Sequence, residues 1–168
     1  MRLFVAVSFN EDTLSQLRIL SDELRCHSEC GRFTLPGNMH LTLAFLGECD
    51  AEQTTKVKAT LNAIDFEPFD IVIDFIGRFK RSGKELWWAG VKENAELLKL
   101  QQRLSDDLIS AGFRFDKRKY SPHITLGREI KTDAVPKSID PFGENVSKID
   151  LMKSEHVNGK LIYTAIHC

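Results

Sequence analysis

The chain has 168 residues, 42% hydrophobic and 28% charged, with a formal net charge of −1. That balance belongs to soluble globular proteins with room for a sizeable core, and it excludes a broadly basic nucleic-acid coat while leaving room for a local basic patch. No apolar run approaches the ~20 residues of a membrane span, so no membrane partner is expected. The short apolar opening gives way at Ser8, Phe9, Asn10 and Glu11 to a helix start, unlike a signal peptide.

In chain order, residues 2–9 form a predicted strand. Asn10 is a predicted N-cap, with Glu11 and Asp12 in the first turn of a helix that carries Leu14, Leu17 and Leu24 to about Cys26. Gly31 and Pro36-Gly37 mark loops, and a strand follows over residues 39–46. Asp50 to Gln53 resembles a capping box, opening a helix with Val57, Leu61 and Ile64 on one face. Residues 70–77 and 85–91 are predicted strands joined by a polar turn over 78–84, hence a hairpin. Asn94 caps a helix with Leu97, Leu100, Leu104 and Leu108 on one stripe, ended by Gly112. A strand over 123–130, a Pro-containing loop over 131–142, and strands over 146–154 and 160–167 turning at Asn158-Gly159 complete the chain. Trp87 and Trp88 alternate faces, so only one is expected to be deeply buried.

Four cysteines, Cys26, Cys30, Cys49 and Cys168, form no Cys-x-x-Cys pair. Neither a zinc ribbon nor a redox motif is expected, and the stretch from Cys26 to Cys30 lacks further ligands at metal-binding spacing. Reduced thiols and a cytoplasmic location are the expectation. His27, His156 and His167 lie outside any motif and are expected to be bystanders.

The informative feature is a repeat. His40-Leu41-Thr42-Leu43 and His123-Ile124-Thr125-Leu126 lie about half the chain apart, each within a predicted strand. Side chains on a strand alternate, so each His shares a face with its Thr while the aliphatic residues take the other face. Each copy also follows the same order of strand, helix, loop and motif strand. This predicts an α+β, bilobal, pseudo-symmetric fold over 1–168, with two antiparallel sheets facing a central cleft and helices outside. Two imidazoles and two hydroxyls converging on one small anion suit acid–base chemistry on a phosphodiester near neutral pH.

These residues resemble the 2H phosphoesterase superfamily, and within it the RNA 2′,3′-cyclic phosphodiesterases also called 2′-5′ RNA ligases. The resemblance is carried by residues 2–7, by Met39 to Gly47 with its Phe-Leu-Gly tail, by Ser121 to Arg128, and by Leu151 to Glu155. It implies metal-independent hydrolysis of a terminal 2′,3′-cyclic phosphate on RNA to a 2′-phosphate, with no cofactor. It also implies His40 as proton donor, His123 as proton acceptor, and Thr42, Thr125 and Arg128 as substrate-binding residues. In reverse, the same machinery would form a 2′-5′ bond. Strict alternation puts Arg128 with Ile124 and Leu126, away from His123. It reaches the phosphate only if the strand ends or bulges near Gly127, a residue suited to that.

Two basic clusters, Arg78 to Lys84 and Arg114 to Tyr120, hold eight of the 23 Lys and Arg residues. They predict a polarised surface for RNA phosphates, with Phe79, Phe115 and Tyr120 available to stack on bases. A monomer is expected. Rival readings are a phosphodiesterase for small cyclic nucleotides or ADP-ribose cyclic phosphate, a non-catalytic RNA-binding module, and a metallohydrolase. Retention of two titrating groups disfavours the binding module, and the scarcity of further ligands disfavours the metallohydrolase.

Overall fold

The structure, a computed structural model, describes residues 1–115 and 118–166. In order they form β1 (Arg2–Ser8), α1 (Glu11–Cys26), β2 (Ser28–Phe33), a 3-10 turn (Pro36–Asn38), β3 (His40–Glu48), α2 (Ala51–Ala63) and β4 (Phe69–Arg81). Then follow β5 (Lys84–Val91), α3 (Ala95–Ser110), β6 (His123–Thr132), β7 (Lys137–Val146), β8 (Asp150–Val157) and β9 (Lys160–Ile166). The fold is α+β, with two antiparallel sheets of order β3-β1-β8-β9 and β2-β6-β5-β4-β7.

Local chemistry starts the helices. The Asn10 side chain accepts from the Thr13 amide at 2.9 Å, and Asn94 accepts from that of Leu97 at 3.0 Å. Asp50 and Gln53 form a reciprocal capping box. Each such cap contributes about 1 kcal/mol by satisfying an otherwise orphaned amide. The Leu97, Leu100, Leu104 and Leu108 stripe of α3 is buried, as its spacing predicts.

The two motif strands are built alike. β1 leads into α1 and pairs antiparallel with β3, so that Ser8, Val7 and Ala6 face His40, Leu41 and Thr42. β5 leads into α3 and pairs antiparallel with β6, so that Gly90, Ala89 and Trp88 face His123, Ile124 and Thr125. The aliphatic side of both strands, Leu41, Leu43, Ile124 and Leu126, joins the main core with Leu3, Val5, Val7 and Trp87. His40, Thr42, His123 and Thr125 are half-buried on the opposite faces. On that side of the first sheet a smaller cluster of Phe4, Ala6 and Met152 packs with Tyr163.

Three local features differ from the sequence expectation. The polar turn over 78–84 shrinks to Ser82 and Gly83, both at positive φ, and the strands run up to Arg81 and Lys84. Much of the first basic cluster therefore lies on strands. The predicted loop over 131–142 contains most of β7, and residues 28–33, taken as part of a loop, form β2. Both are edge strands that pair on one side only, with β4 and β6 respectively. Their patterns show no apolar alternation, and Pro141 is tolerated where β7 leaves register with β4 between Ser138 and Phe142. The Asn158-Gly159 turn forms as expected, with both residues at positive φ. Strand β9 is described to Ile166; His167 and Cys168, like Lys117 of the second basic cluster, lie outside the described residues.

Candidate active site

His40 opens β3, directly after the 3-10 turn. Its Nδ1 lies 2.6 Å from the carbonyl oxygen of Asn38. A carbonyl only accepts, so Nδ1 carries the proton and Nε2 is left for chemistry. Nε2 lies 2.8 Å from the Thr42 hydroxyl. A neutral ring accepts the Thr42 hydrogen there, and a protonated ring donates to the Thr42 oxygen. The ring sits between Phe4, at 4.7 Å between centroids, and Tyr163, whose ring approaches at 5.1 Å and 79°. Asn38 is itself fixed, its side-chain amide donating to the Leu161 carbonyl at 2.7 Å and accepting from the Tyr163 amide at 3.1 Å. Burial lowers the His40 pKa below the ordinary imidazole value, against the opposing effect of the Asn38 carbonyl; the charge of His123 lowers it further.

His123 opens β6 in the same manner. Its Nδ1 lies 2.7 Å from the Ser121 carbonyl oxygen, again two residues upstream, so Nδ1 carries the proton and Nε2 is left for chemistry. Its surroundings differ. The ring stands edge-on to Phe79, at 5.5 Å and 87°, and beside Trp88 at 6.3 Å. Trp88 lies over Gly77 and Gly90, where an added Cβ would overlap the indole. Its indole N–H is buried without a partner among the described residues.

Between the sheets lies a cleft of about 850 Å³, whose walls include Thr42, Phe45, Phe79, Tyr120, His123 and Arg128. His40 adjoins it through its contact with Thr42. Tyr120 ties the walls together: its hydroxyl donates to the Thr42 carbonyl at 2.8 Å, and burial pushes its phenol pKa up. Arg128 reaches the cleft because β6 loses alternation. Trp87 faces Gly127 while Trp88 faces Thr125, which leaves Leu126 as an extra residue. A second irregularity follows, with Glu85 opposite Ile130 and Glu129 at φ 54. The bulge near Gly127 that the sequence required is present.

The cleft is also cationic. Arg32, Arg81, Lys84, Arg118, Lys119 and Arg128 line it. Arg78 of the first cluster does not: it pairs with Glu85 at 3.3 Å and lies over the Trp87 ring. Of the three aromatics expected to meet bases, Phe79 is exposed, whereas Phe115 and Tyr120 pack against the core. Trp87 is fully buried and Trp88 half-buried. Among the described residues no group of three or more His, Cys, Asp or Glu side chains is placed to hold a metal ion. No described helix is long and apolar enough to cross a membrane.

The 2′-5′ RNA ligase superfamily matches residues 11–156. The chain belongs to that superfamily. A relative from Archaeoglobus fulgidus named RNA 2′,3′-cyclic phosphodiesterase is 35% identical over 151 residues, covering 86% of this chain and 85% of its own. One of the same name from Escherichia coli K12 is 31% identical, covering 98% and 93%. Among solved structures, E. coli LigT complexed with 3′-AMP superposes with a TM-score of 0.84 at 26% identity, covering 99% of this chain and 94% of that one. TT0787 of Thermus thermophilus superposes at 0.85 with 26% identity, covering 99% and 96%.

In this member of the 2′-5′ RNA ligase superfamily, several residues around the motifs escaped the sequence reading. The carbonyls of Asn38 and Ser121 carry no residue-type signal, because every residue supplies one. Their shared place two residues before each His was the only available cue. Tyr163 and Phe4 meet His40 through sheet pairing alone. Arg32 enters the cleft from a strand that sequence patterning did not reveal.

Proposed function

We propose that this chain hydrolyses the terminal 2′,3′-cyclic phosphate of RNA to a 2′-phosphate, using His40 and His123 as an acid–base pair without a metal. The observation that carries the reading is the matched pair of imidazoles. Each is held through Nδ1 by a carbonyl two residues upstream, and each keeps Nε2 for proton transfer. The name shared by the relatives supports the same phosphodiester hydrolase activity.

In this reaction neutral His123 takes a proton from water as the water oxygen attacks phosphorus. The bond from phosphorus to the 3′-oxygen breaks, and protonated His40 gives its proton to that oxygen. One proton is taken and one returned, and the two histidines exchange protonation states. Burial lowers the proton affinity of His40 in the free protein, and a phosphate anion docked beside it raises that affinity, because an adjacent opposite charge favours the protonated ring. Protonated Nε2 then donates to the Thr42 oxygen or to the leaving oxygen, which frees the Thr42 hydrogen for a non-bridging oxygen. Thr125 completes the site at the cyclic phosphate, and Arg128 holds the substrate further along the cleft. With a 5′-hydroxyl in place of water, the same steps form a 2′-5′ bond. The cationic lining favours RNA over a small cyclic nucleotide. The cleft joins strands of both sheets, which supports a single bilobal unit over 1–168.

The test is to incubate the protein with a short RNA ending in a 2′,3′-cyclic phosphate, in excess chelator, and to identify the new terminus against 2′- and 3′-nucleotide standards. A 2′-phosphate is expected. A 3′-phosphate would reverse the substrate's orientation, and loss of turnover in chelator would replace the two-histidine chemistry with a metal.

A further inference from the structure

The far end of the cleft carries an arrangement that a folded protein gains little from by itself. Arg32 on β2 faces Arg128 on β6 directly in the ladder, and Arg81 on β4 faces Lys84 on β5. Like charges directly opposite one another destabilise a sheet. All four line the same cleft. Glu129 joins one member of each pair, its carboxylate lying 2.9 Å from Arg32 Nε and 3.9 Å from Lys84 Nζ. Glu129 holds φ 54, a left-handed backbone that costs a non-glycine residue about 1–2 kcal/mol. Both ion pairs are largely solvent-exposed, and exposed pairs return little stability. Two opposed like-charge pairs and a strained backbone are thus maintained for ion pairs that hardly stabilise the fold.

We infer that this end of the cleft is a binding subsite for an upstream internucleotide phosphate of the RNA, and that Glu129 is its resident carboxylate, competing with that phosphate for Arg32 and Lys84. The inference rests on the RNA reading above and deepens it. Along β6 the stretch from His123 to Glu129 covers roughly 15–20 Å of strand at about 3.3 Å per residue. A cyclic mononucleotide held at His123 does not extend that far, whereas an oligonucleotide does. Glu129 then sets substrate length preference. It screens the opposed cations when the cleft is empty, and it weakens RNA binding enough for the product to leave.

The experiment uses the full chain and two probes, a fluorescein-labelled eight-nucleotide RNA ending in a 2′-phosphate and adenosine 2′-monophosphate. Affinities are measured at several salt concentrations for the parent, Glu129→Gln, Glu129→Gly, Arg32→Gln and Lys84→Gln. Both Glu129 variants should bind the RNA about three- to tenfold more tightly, the gain from removing a competitor of two exposed pairs. Arg32→Gln and Lys84→Gln should each weaken RNA binding and flatten the slope of log affinity against log salt by about 0.7, the share of one single-strand phosphate contact. The mononucleotide should respond by a smaller factor in every case. Glu129→Gly relieves the backbone strain and should also raise Tm, so its folding is not in doubt. RNA affinities equal to the parent's in both Glu129 variants, or weakened in both, would overturn the inference and leave Glu129 as a tether between β2 and β6. Turnover of a cyclic mononucleotide by the parent keeps the two failures apart. If it proceeds while the RNA affinities stay flat, the subsite falls and the hydrolase stands. If no cyclic phosphate opens, the hydrolase falls whatever the affinities show.

Discussion

The two His-x-Thr copies share one backbone frame and differ in what surrounds it. In both, Nδ1 is fixed by the carbonyl two residues upstream and the His starts a strand paired with the strand preceding a helix. Opposite Thr42, however, stands Ala6, and opposite Thr125 stands Trp88. The small residue leaves His40 to pack between Phe4 and Tyr163 and to reach its own threonine at 2.8 Å. The large one gives His123 an aromatic flank, and its Nε2 has no hydrogen-bond partner among the described residues. Burial lowers the proton affinity of His40. A duplicated motif therefore supplies matched geometry, and unmatched neighbours supply the chemical asymmetry that an acid and a base require.

The largest expected effect comes from removing either imidazole. His40→Ala and His123→Ala should each lower the rate of cyclic-phosphate opening by about 10²–10⁴. The double variant should lose far less than the product of the two, because the pair acts as a unit. Near-parental turnover in either folded variant would remove that residue from the reaction.

Gly77→Ala strikes one copy and spares the other. The added methyl overlaps the Trp88 indole, which cannot bend away as a flexible chain would. Overpacking of this kind costs about 1–3 kcal/mol of stability. Displacing the flank of His123 should also lower kcat about tenfold. Denaturant unfolding and steady-state kinetics on the same preparation separate the two losses, and an unchanged kcat would detach Trp88 from the positioning of His123.

Tyr120→Phe tests how the walls are joined. It leaves the Thr42 carbonyl without the hydroxyl that now donates to it at 2.8 Å. Stability should fall by about 1–2 kcal/mol in urea unfolding. An unchanged midpoint would mean that water replaces the bond without loss.

The smallest effect is on pH dependence. Both kcat and kcat/KM should be bell-shaped, and kcat/KM reports the free protein whereas kcat reports the complex. Burial holds free His40 low, and a docked phosphate anion raises it. The kcat profile should accordingly centre at higher pH than the kcat/KM profile. Coincident profiles would contradict substrate-driven protonation, and a rate climbing steadily from pH 6 to about pH 10 would point to hydroxide or metal-bound water.

Much of this was legible in the sequence because the decisive signals are local. Alternation has a period of two, so His40 with Thr42 and His123 with Thr125 share faces once their strands are recognised. Asn10, Asp50 and Asn94 announced three helices through capping chemistry that acts within four residues. What escaped depends on partners distant in the chain. Strands β2 and β7 are ordered by their neighbours β6 and β4 rather than by an apolar pattern of their own. Gly127 hinted at the irregularity that turns Arg128 into the cleft, but the second one, at Glu129, follows from pairing alone. Tyr163 meets His40 across the sheet from a strand far along the chain, its amide donating to the Asn38 side chain.

The central claim is that the two copies hold different jobs, His40 protonating the leaving 3′-oxygen and His123 activating water. A substrate whose bridging 3′-oxygen is replaced by sulfur tests this directly. A thiol, with a pKa near about 8.5, departs as a thiolate without help from an acid. Comparing the oxygen and sulfur substrates in the parent, His40→Ala and His123→Ala, the penalty of His40→Ala should shrink at least about tenfold on sulfur while that of His123→Ala persists. A penalty that shrinks for His123→Ala instead, or for neither variant, would contradict the assignment.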